Sequence, residues 1–249
     1  MRTSTMRFLA AALTAAAVSA SLAAGPAALA QPAPPATPSA CVALSGTVDT
    51  DDMCLVQVEN PTYRLDYSFP ADYPDQQALT AYLTQTRDGF VNVAGMPGSW
   101  NLPYVLDGRG TGYRTGPDDG GTRSVVFEMY ENVGGAHPQT WFKSFNWDVA
   151  KKAPITFDTL FKPGSEPLAV IFPIVRSDIS RQLGIEAPIT TADGLDPAKY
   201  TEFAITDDAV IFYFGQGEIM AGAGGALQAT IPRSEIASML ALEPVPVTP

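Results

Sequence analysis

The stretch VGGAHPQTW, residues 133–141, holds the chain's one histidine, His137, between a glycine pair and a proline. Imidazole is the side chain whose ordinary pKa lies nearest neutrality, so any histidine base in this protein must be His137. The same residues also suit a turn, and glycines beside a strand serve hairpins as readily as oxyanions. A carboxylate pair is the other acid/base option, and Asp118-Asp119 and Asp207-Asp208 supply the acids. All four stand in turn sequences, where Asp is expected for backbone hydrogen bonding. One histidine and two cysteines fall short of a standard zinc ligand set, and no EF-hand loop is present, so neither a metal nor a cofactor is expected.

The elements that must position these residues alternate between two periods. Tyr63, Leu65, Tyr67 and Phe69 interleave with Arg64, Asp66 and Ser68, the pattern of a half-buried strand. Over residues 73–94 the period changes: Leu79, Tyr82, Leu83, Thr86, Phe90 and Val93 form one helical stripe, with Pro74 suited to the first turn. Residues 102–115, interrupted by Gly108, Gly110 and Gly112, read as a weak strand or a sheet edge. GPDDGG (116–121) is a turn, and RSVVFEMY a strong strand. If Gly134-Gly135 is the tip of the next hairpin, Phe127 faces Phe142 and Met129 faces Thr140 on an apolar face. Glu128, Tyr130, Trp141, Lys143 and Phe145 then share the opposite face with His137. Such a mixture of aromatic and polar groups suits contact, which makes these five the candidate binding residues. A slip of one residue would resort both faces. Beyond the hairpin, ITFDTLFKPGS is loop-like. Residues 166–183 repeat at helical spacing up to Gly184, and Pro173 must either kink that helix or begin it. EFAITDDAVIFYF is a hairpin across Asp207-Asp208, ALQATIP a strand, and RSEIASML a short helix. This order predicts an α+β fold with a largely antiparallel sheet and packed helices.

Arg2 and Arg7 precede an Ala/Leu-rich run ending in Ala28-Leu29-Ala30, so residues 1–30 read as a signal peptide and Gln31 as the first mature residue. A retained membrane anchor is the competing reading, and Gly25 and Pro26 speak against it. Residues 31–40, QPAPPATPSA, form a Pro/Ala-rich linker. Residues 41–118 and 119–243 are the two halves of a globular domain, and residues 244–249 a tail. Nothing after residue 31 resembles a membrane span. The formal charge is −11, and the leader carries arginines but no acid, so the mature chain is more acidic still. That charge repels phosphate backbones, and no nucleic-acid partner is expected. In an exported chain Cys41 and Cys54 are most simply one disulfide, worth about 3 kcal/mol in the chain-entropy model. The expected product is a secreted, extracellular monomer, cell-wall associated or free.

The blocks DYPDQQALTAYLTQTRDGFVNVA, GGAHPQTWFKSFNWD, PITFDTLFKPG and EFAITDDAVIFYF resemble, in this order, the actinobacterial secreted immunogenic protein family of the MPT sixty-four type. The likeness runs from Cys41 to Leu240. It implies an exported, disulfide-containing protein with a β-grasp-like fold. It also implies a C-terminal half similar to a widespread domain of unknown function, found too in the lysozyme-binding part of an anti-sigma factor. One departure is that GEIMAGAGGALQ stands where similar domains carry a proline- and tyrosine-containing block. Two activities come with the resemblance, host or envelope interaction and ester hydrolysis. An esterase needs a nucleophile, a base and an oxyanion hole. No G-x-S-x-G elbow is present, since Gly98-Ser99 and Gly164-Ser165 lack the second glycine. Ser144, on one strand with His137, would lie roughly 23 Å away on the opposite face. Ser99, Ser165 or Ser234 would need tertiary contact to reach the imidazole. The nucleophile is therefore unassigned. The residues favour an interaction protein that binds an extracellular protein or envelope component. The alternative is a secreted esterase of short-chain acyl esters with His137 as general base.

Overall fold

The computed structural model describes residues 38–242; residues 1–37 and 243–249, on which the expected signal peptide, most of the expected linker and the expected tail fall, lie outside the described residues. A four-residue helix, α1 (Ala40–Ala43), is tied by the Cys41–Cys54 disulfide to β2 (Met53–Glu59). With β1 (Thr47–Val48), β3 (Tyr63–Pro70), β4 (Tyr104–Thr115), β5 (Thr122–Asn132), β6 (Gln139–Asp148) and β7 (Ala153–Pro154), β2 forms a seven-stranded sheet in chain order. Its pairs are antiparallel except β3–β4, which run parallel because the helix α2 (Gln76–Ala94) carries the chain back between them. A second, antiparallel sheet has the order β10 (Leu227–Pro232), β9 (Ala209–Phe214), β8 (Phe203–Ile205). The fold is thus α+β with largely antiparallel sheets.

Alternation along the strands decides how the layers stack. Odd-numbered side chains of β5 and β6, among them Phe127, Met129, Trp141 and Phe145, pack with Leu79, Leu83 and Phe90 of α2. Even-numbered Val126 and Phe142 pack instead with Ala204, Ile211 and Tyr213 of the small sheet. The far face of that sheet, including Phe203, Val210, Phe212 and Ile231, closes on Ile171, Val175 and Ile179 of α4 (Pro167–Leu183). Helix, large sheet, small sheet and helix therefore follow one another. The strand that reads as an edge from its glycines is interior, held between β3 and β5. A Cβ on Gly108 would stand 2.8 Å from the Tyr67 ring and 2.9 Å from Met129 Sδ, and one on Gly110 would stand 2.7 Å from Phe69 Cβ. These glycines admit large neighbours from both sides. Two further expectations change, and the alternative left open at Pro173 is decided. Pro74 precedes the helix, which Asp75 caps by accepting from the Ala78 N–H at 3.0 Å. Pro167 begins α4, and Pro173 lies inside it. The loop-like ITFDTLFKPGS contains a short helix, α3 (Phe157–Leu160), closed by a Thr156–Thr159 capping box.

Polar side chains finish both edges of the small sheet. At β8 the Phe203 N–H donates to Ser144 Oγ (3.0 Å), the Ile205 N–H to Ser124 Oγ (3.3 Å), and Asn146 Nδ2 donates to the Phe203 carbonyl (2.8 Å). All three side chains are buried. At β10 the Thr230 N–H donates to Asp178 Oδ2 (3.0 Å), and Gln182 Nε2 donates to the Gln228 carbonyl (2.7 Å), both from α4. Neither edge is left open for another chain. The two tyrosines Tyr113 and Tyr213 add a hydroxyl–hydroxyl contact of 2.6 Å between the sheets.

Replacing Ser144 by Ala removes the acceptor of a buried backbone N–H, so urea unfolding should show a loss of about 1–3 kcal/mol with an unchanged slope. A neutral result would mean that water reaches Phe203. Alkali tests the cores. Burial raises the hydroxyls of Tyr67, Tyr73, Tyr82, Tyr200 and Tyr213 above the ordinary tyrosine value. The stability tied to these groups is complete below the ordinary value of about 10 and is lost as pH climbs toward the raised ones. Their tyrosinate absorbance should appear together with the loss of far-UV circular dichroism, not before it.

Candidate functional site

The β5–β6 hairpin decides where the candidate residues stand. It pairs Phe127 with Lys143, Met129 with Trp141, Glu128 with Phe142 and Tyr130 with Thr140, one residue away from the register of a Gly134-Gly135 tip. The connection is longer than that tip, since β5 ends at Asn132 and β6 begins at Gln139. Asn132 Oδ1 accepts from the Gly134 N–H (3.0 Å), and a Cβ on Gly134 would lie 2.7 Å from the Trp100 carbonyl oxygen, so the loop is braced against residues 100–104. Burial favours this register. It aims Trp141 and Phe145 at α2, where the Trp141 indole N–H donates to the Tyr82 hydroxyl (2.9 Å) and the Tyr82 and Phe145 rings meet at 5.8 Å. The five candidate binding residues are consequently divided. Trp141, Lys143 and Phe145 stand on the α2 side, Glu128 and Tyr130 on the other.

His137 is exposed in the hairpin loop, and among the described residues no hydrogen bond or ion pair holds its imidazole. Of the serines named as candidate nucleophiles, Ser234 is exposed, and the other three are held by backbone groups. Ser144 is buried under β8, with its hydroxyl serving the 201–203 backbone. The Ser99 hydroxyl donates to the Met96 carbonyl (2.8 Å) and the Ser165 hydroxyl to the Lys162 carbonyl (2.7 Å). Of the turn acids, Asp118 pairs with Arg114 (2.8 Å), and Asp208 Oδ1 accepts from Thr206 Oγ1 (2.7 Å). No group of three metal-ligating side chains occurs among the described residues.

Lys143 and Phe145 do meet at a cavity. A cleft of about 330 Å³ opens along the edge of β6, walled by Tyr73 just before α2 and Ala78 in its first turn, Phe145 and Asn146 from β6, and Pro154 and Phe157 beyond it. Lys143 and Asp75 are the charged groups of its lining. Lys143 Nζ lies 3.0 Å from Glu202 Oε1 and 5.8 Å from the centre of the Phe145 ring. The other oxygen of Glu202 accepts from the Ser144 N–H, so this acid serves both the lysine and the free edge of β6. Burial first, and then the charge of Asp75, push the Tyr73 hydroxyl well above its ordinary value, which keeps it neutral. Asn146 is 5% exposed, and its Oδ1 has no hydrogen-bond partner among the described residues. Asn146, Tyr73 and Phe157 escape sequence reasoning, because only the tertiary fold brings residues 73, 146 and 157 together. The one available signal is the pair Ser144 and Asn146, polar residues at alternate positions of an otherwise aromatic strand.

Residues 158–234 match the family described as a protein of unknown function, DUF3298. Over 199 residues the chain is 51% identical to the esterase Rv3036c of Mycobacterium tuberculosis, spanning 80% of this chain and 88% of that relative. It is 43% identical over 201 residues to the immunogenic protein MPT64 of the same organism, spanning 81% and 88% respectively. A solved DUF3298 family protein from Pseudomonas aeruginosa shares the fold at a TM-score of 0.53 and 12% identity, over 79% of this chain and 96% of that one.

Changing Tyr82 to Phe leaves the Trp141 indole N–H without its acceptor while the ring contact with Phe145 remains. The expected cost is about 1 kcal/mol, with a change in tryptophan emission from the same sample. Unaltered emission and stability would show that the Trp141–Tyr82 bond does not hold the aromatic wall in place.

Proposed function

Since this chain belongs to the family that contains the immunogenic protein MPT64 and the esterase Rv3036c, we propose that it is an exported interaction protein that works outside the cell as a monomer. It binds an extracellular protein or an envelope component, and its ligand site is the cleft beside β6, with Lys143 and Phe145 in its lining. The observation that carries this reading is the cleft itself: a mainly apolar exposed surface, charged and polar residues such as Asp75, Lys143 and Thr156 in its lining, and a position between the start of α2 and the residues that follow β6. The disulfide fits the oxidising surroundings that export implies. The leader at residues 1–30 and the acidic charge agree with it.

One observation favours the second reading, ester hydrolysis: a relative of 51% identity bears the name esterase. That reading assigns His137 as general base. Against it stands the surrounding geometry, in which the imidazole meets neither a serine nor an orienting carboxylate among the described residues.

Turnover of a short-chain ester against pH, by purified protein and by its His137→Ala variant, separates the two. The interaction reading expects the variant to hydrolyse at the parent's rate and to lose no more than about 1 kcal/mol of stability. A folded variant slowed about a hundredfold or more, beside a parent whose rate rises through an ionisation at about pH 6–7, would establish His137 as a base and overturn the proposal.

A further inference from the structure

Beyond the β6 cleft, and independent of it, we infer a second ligand site at Arg114 and Arg123 that takes a carboxylate carried on a small apolar group. Register is the first reason. Arg114 is paired directly with Arg123 across β4 and β5, so two guanidinium groups leave neighbouring strands on the same face, where like charges repel. One acceptor relieves them. Asp118 Oδ1 lies 2.8 Å from Arg114 Nη2 and 3.6 Å from Arg123 Nη2, so the two arginines already converge on a carboxylate oxygen. Arg123 is fixed in place, since its Nη1 donates to the Thr115 (3.1 Å) and Thr122 (2.9 Å) carbonyls and its Nη2 to the Pro117 carbonyl (3.0 Å). Asp118 is the loose member. Its side chain is 93% exposed, and an ion pair so open to water stabilises weakly. The chain's own carboxylate thus fills a seat from which a ligand's carboxylate can displace it.

The space beside the pair is the second reason. A hollow of about 140 Å³ adjoins the two arginines, bounded by Gly112 and Val125 of the sheet, Pro70 at the end of β3, and Tyr73 and Pro74 of the segment that leads to α2. That volume suits one ring or a short acyl chain. The charged residues of its lining are Arg114, Arg123 and Asp72. Once Asp118 has swung out, an anion at the rim meets two cations and one acid of that lining. A neutral ligand gains only the apolar contact and leaves Asp118 where it is.

The test titrates phenylacetate and its uncharged counterpart phenylacetamide into the whole folded protein, followed by amide nuclear magnetic resonance at low salt. Phenylacetate should shift residues 112–125, and phenylacetamide should bind at least about tenfold more weakly, the scale of a lost charge-assisted contact. Asp118→Asn empties the seat of its charge, so it should tighten phenylacetate binding by up to about fivefold, the scale of a weak exposed pair. Arg114→Gln, at an exposed position outside the bonds that hold Arg123, should weaken it roughly tenfold or more. The carboxylate can come from a free acid or from the carboxyl end of a peptide. N-acetylphenylalanine represents the second source, and whichever acid binds Asp118→Asn more tightly names it. Equal affinity for acid and amide, or no shift of residues 112–125 by either acid, would overturn the inference. A folded Asp118→Asn protein that binds no more tightly than the parent would also overturn it, because Asp118 would then not occupy the seat. The two probes on the parent protein decide the matter even if a variant does not fold.

Discussion

The fold turns on how the strand β8 is received by the large sheet. A strand at the edge of a sheet carries N–H and C=O groups that must find partners, and β8 is only three residues long, Phe203–Ile205. Its outward groups are met by Ser124, Ser144 and Asn146, side chains that rise from β5 and β6. A hydroxyl can accept and a carboxamide can donate, so these side chains take the place of a neighbouring strand. The apolar seam of Val126, Phe142, Ala204 and Tyr213 then closes around them. Were the three positions apolar, Phe203 and Ile205 would bury unpaired backbone groups, and the small sheet would lose its seat.

The same device builds the cleft. Because Ser144 and Asn146 are used on one face of β6, Lys143 and Phe145 must point to the other, toward α2. Beyond Trp147 and Asp148, which pair with the short β7, the edge of β6 has no adjacent strand. Glu202 meets the Ser144 N–H, and the Gln216 N–H donates to the Thr140 carbonyl at 2.8 Å. A gap remains between the first turn of α2 and residues 154–157, and that gap is the cleft. The placement of Lys143 and Phe145 at the cleft is thus a by-product of seating one sheet on the other.

This coupling gives the two readings of the family different structural standing. An interaction site of this kind needs only a rigid frame with a few oriented polar groups, and the β6 edge supplies that frame. Acyl transfer needs a nucleophile, a base and its orienting partner within hydrogen-bond reach of one another. The loop that carries His137 is braced at Gly134 against the Trp100 carbonyl and Tyr104, yet the histidine itself stands in solvent. Ser144, nearest to it among the serines in sequence, is held by the β8 backbone.

By itself the sequence determined those features that short-range periodicity records. Alternation showed strands at 63–69, 123–130 and 226–232, the stripe from Leu79 to Phe90 showed α2, and the Asp207-Asp208 turn showed the β8–β9 hairpin. The cysteine pair indicated the disulfide. The tertiary structure decided what depends on neighbours far along the chain. Gly108 and Gly110 look like the marks of an edge, but they sit in an interior strand because Tyr67, Phe69, Phe127 and Met129 crowd against it. The hairpin register moved by one residue because aromatic burial against Tyr82 and α2 outweighed the appeal of a glycine-pair turn, and with period-two side chains one residue exchanges the faces. Lys143 and Phe145 reached the cleft by that exchange, and Glu128 and Tyr130 were turned away from it. Asn146 gained its meaning only when residues 203 and 205 came to lie over it, since no local pattern says which distant backbone group a buried polar side chain will serve.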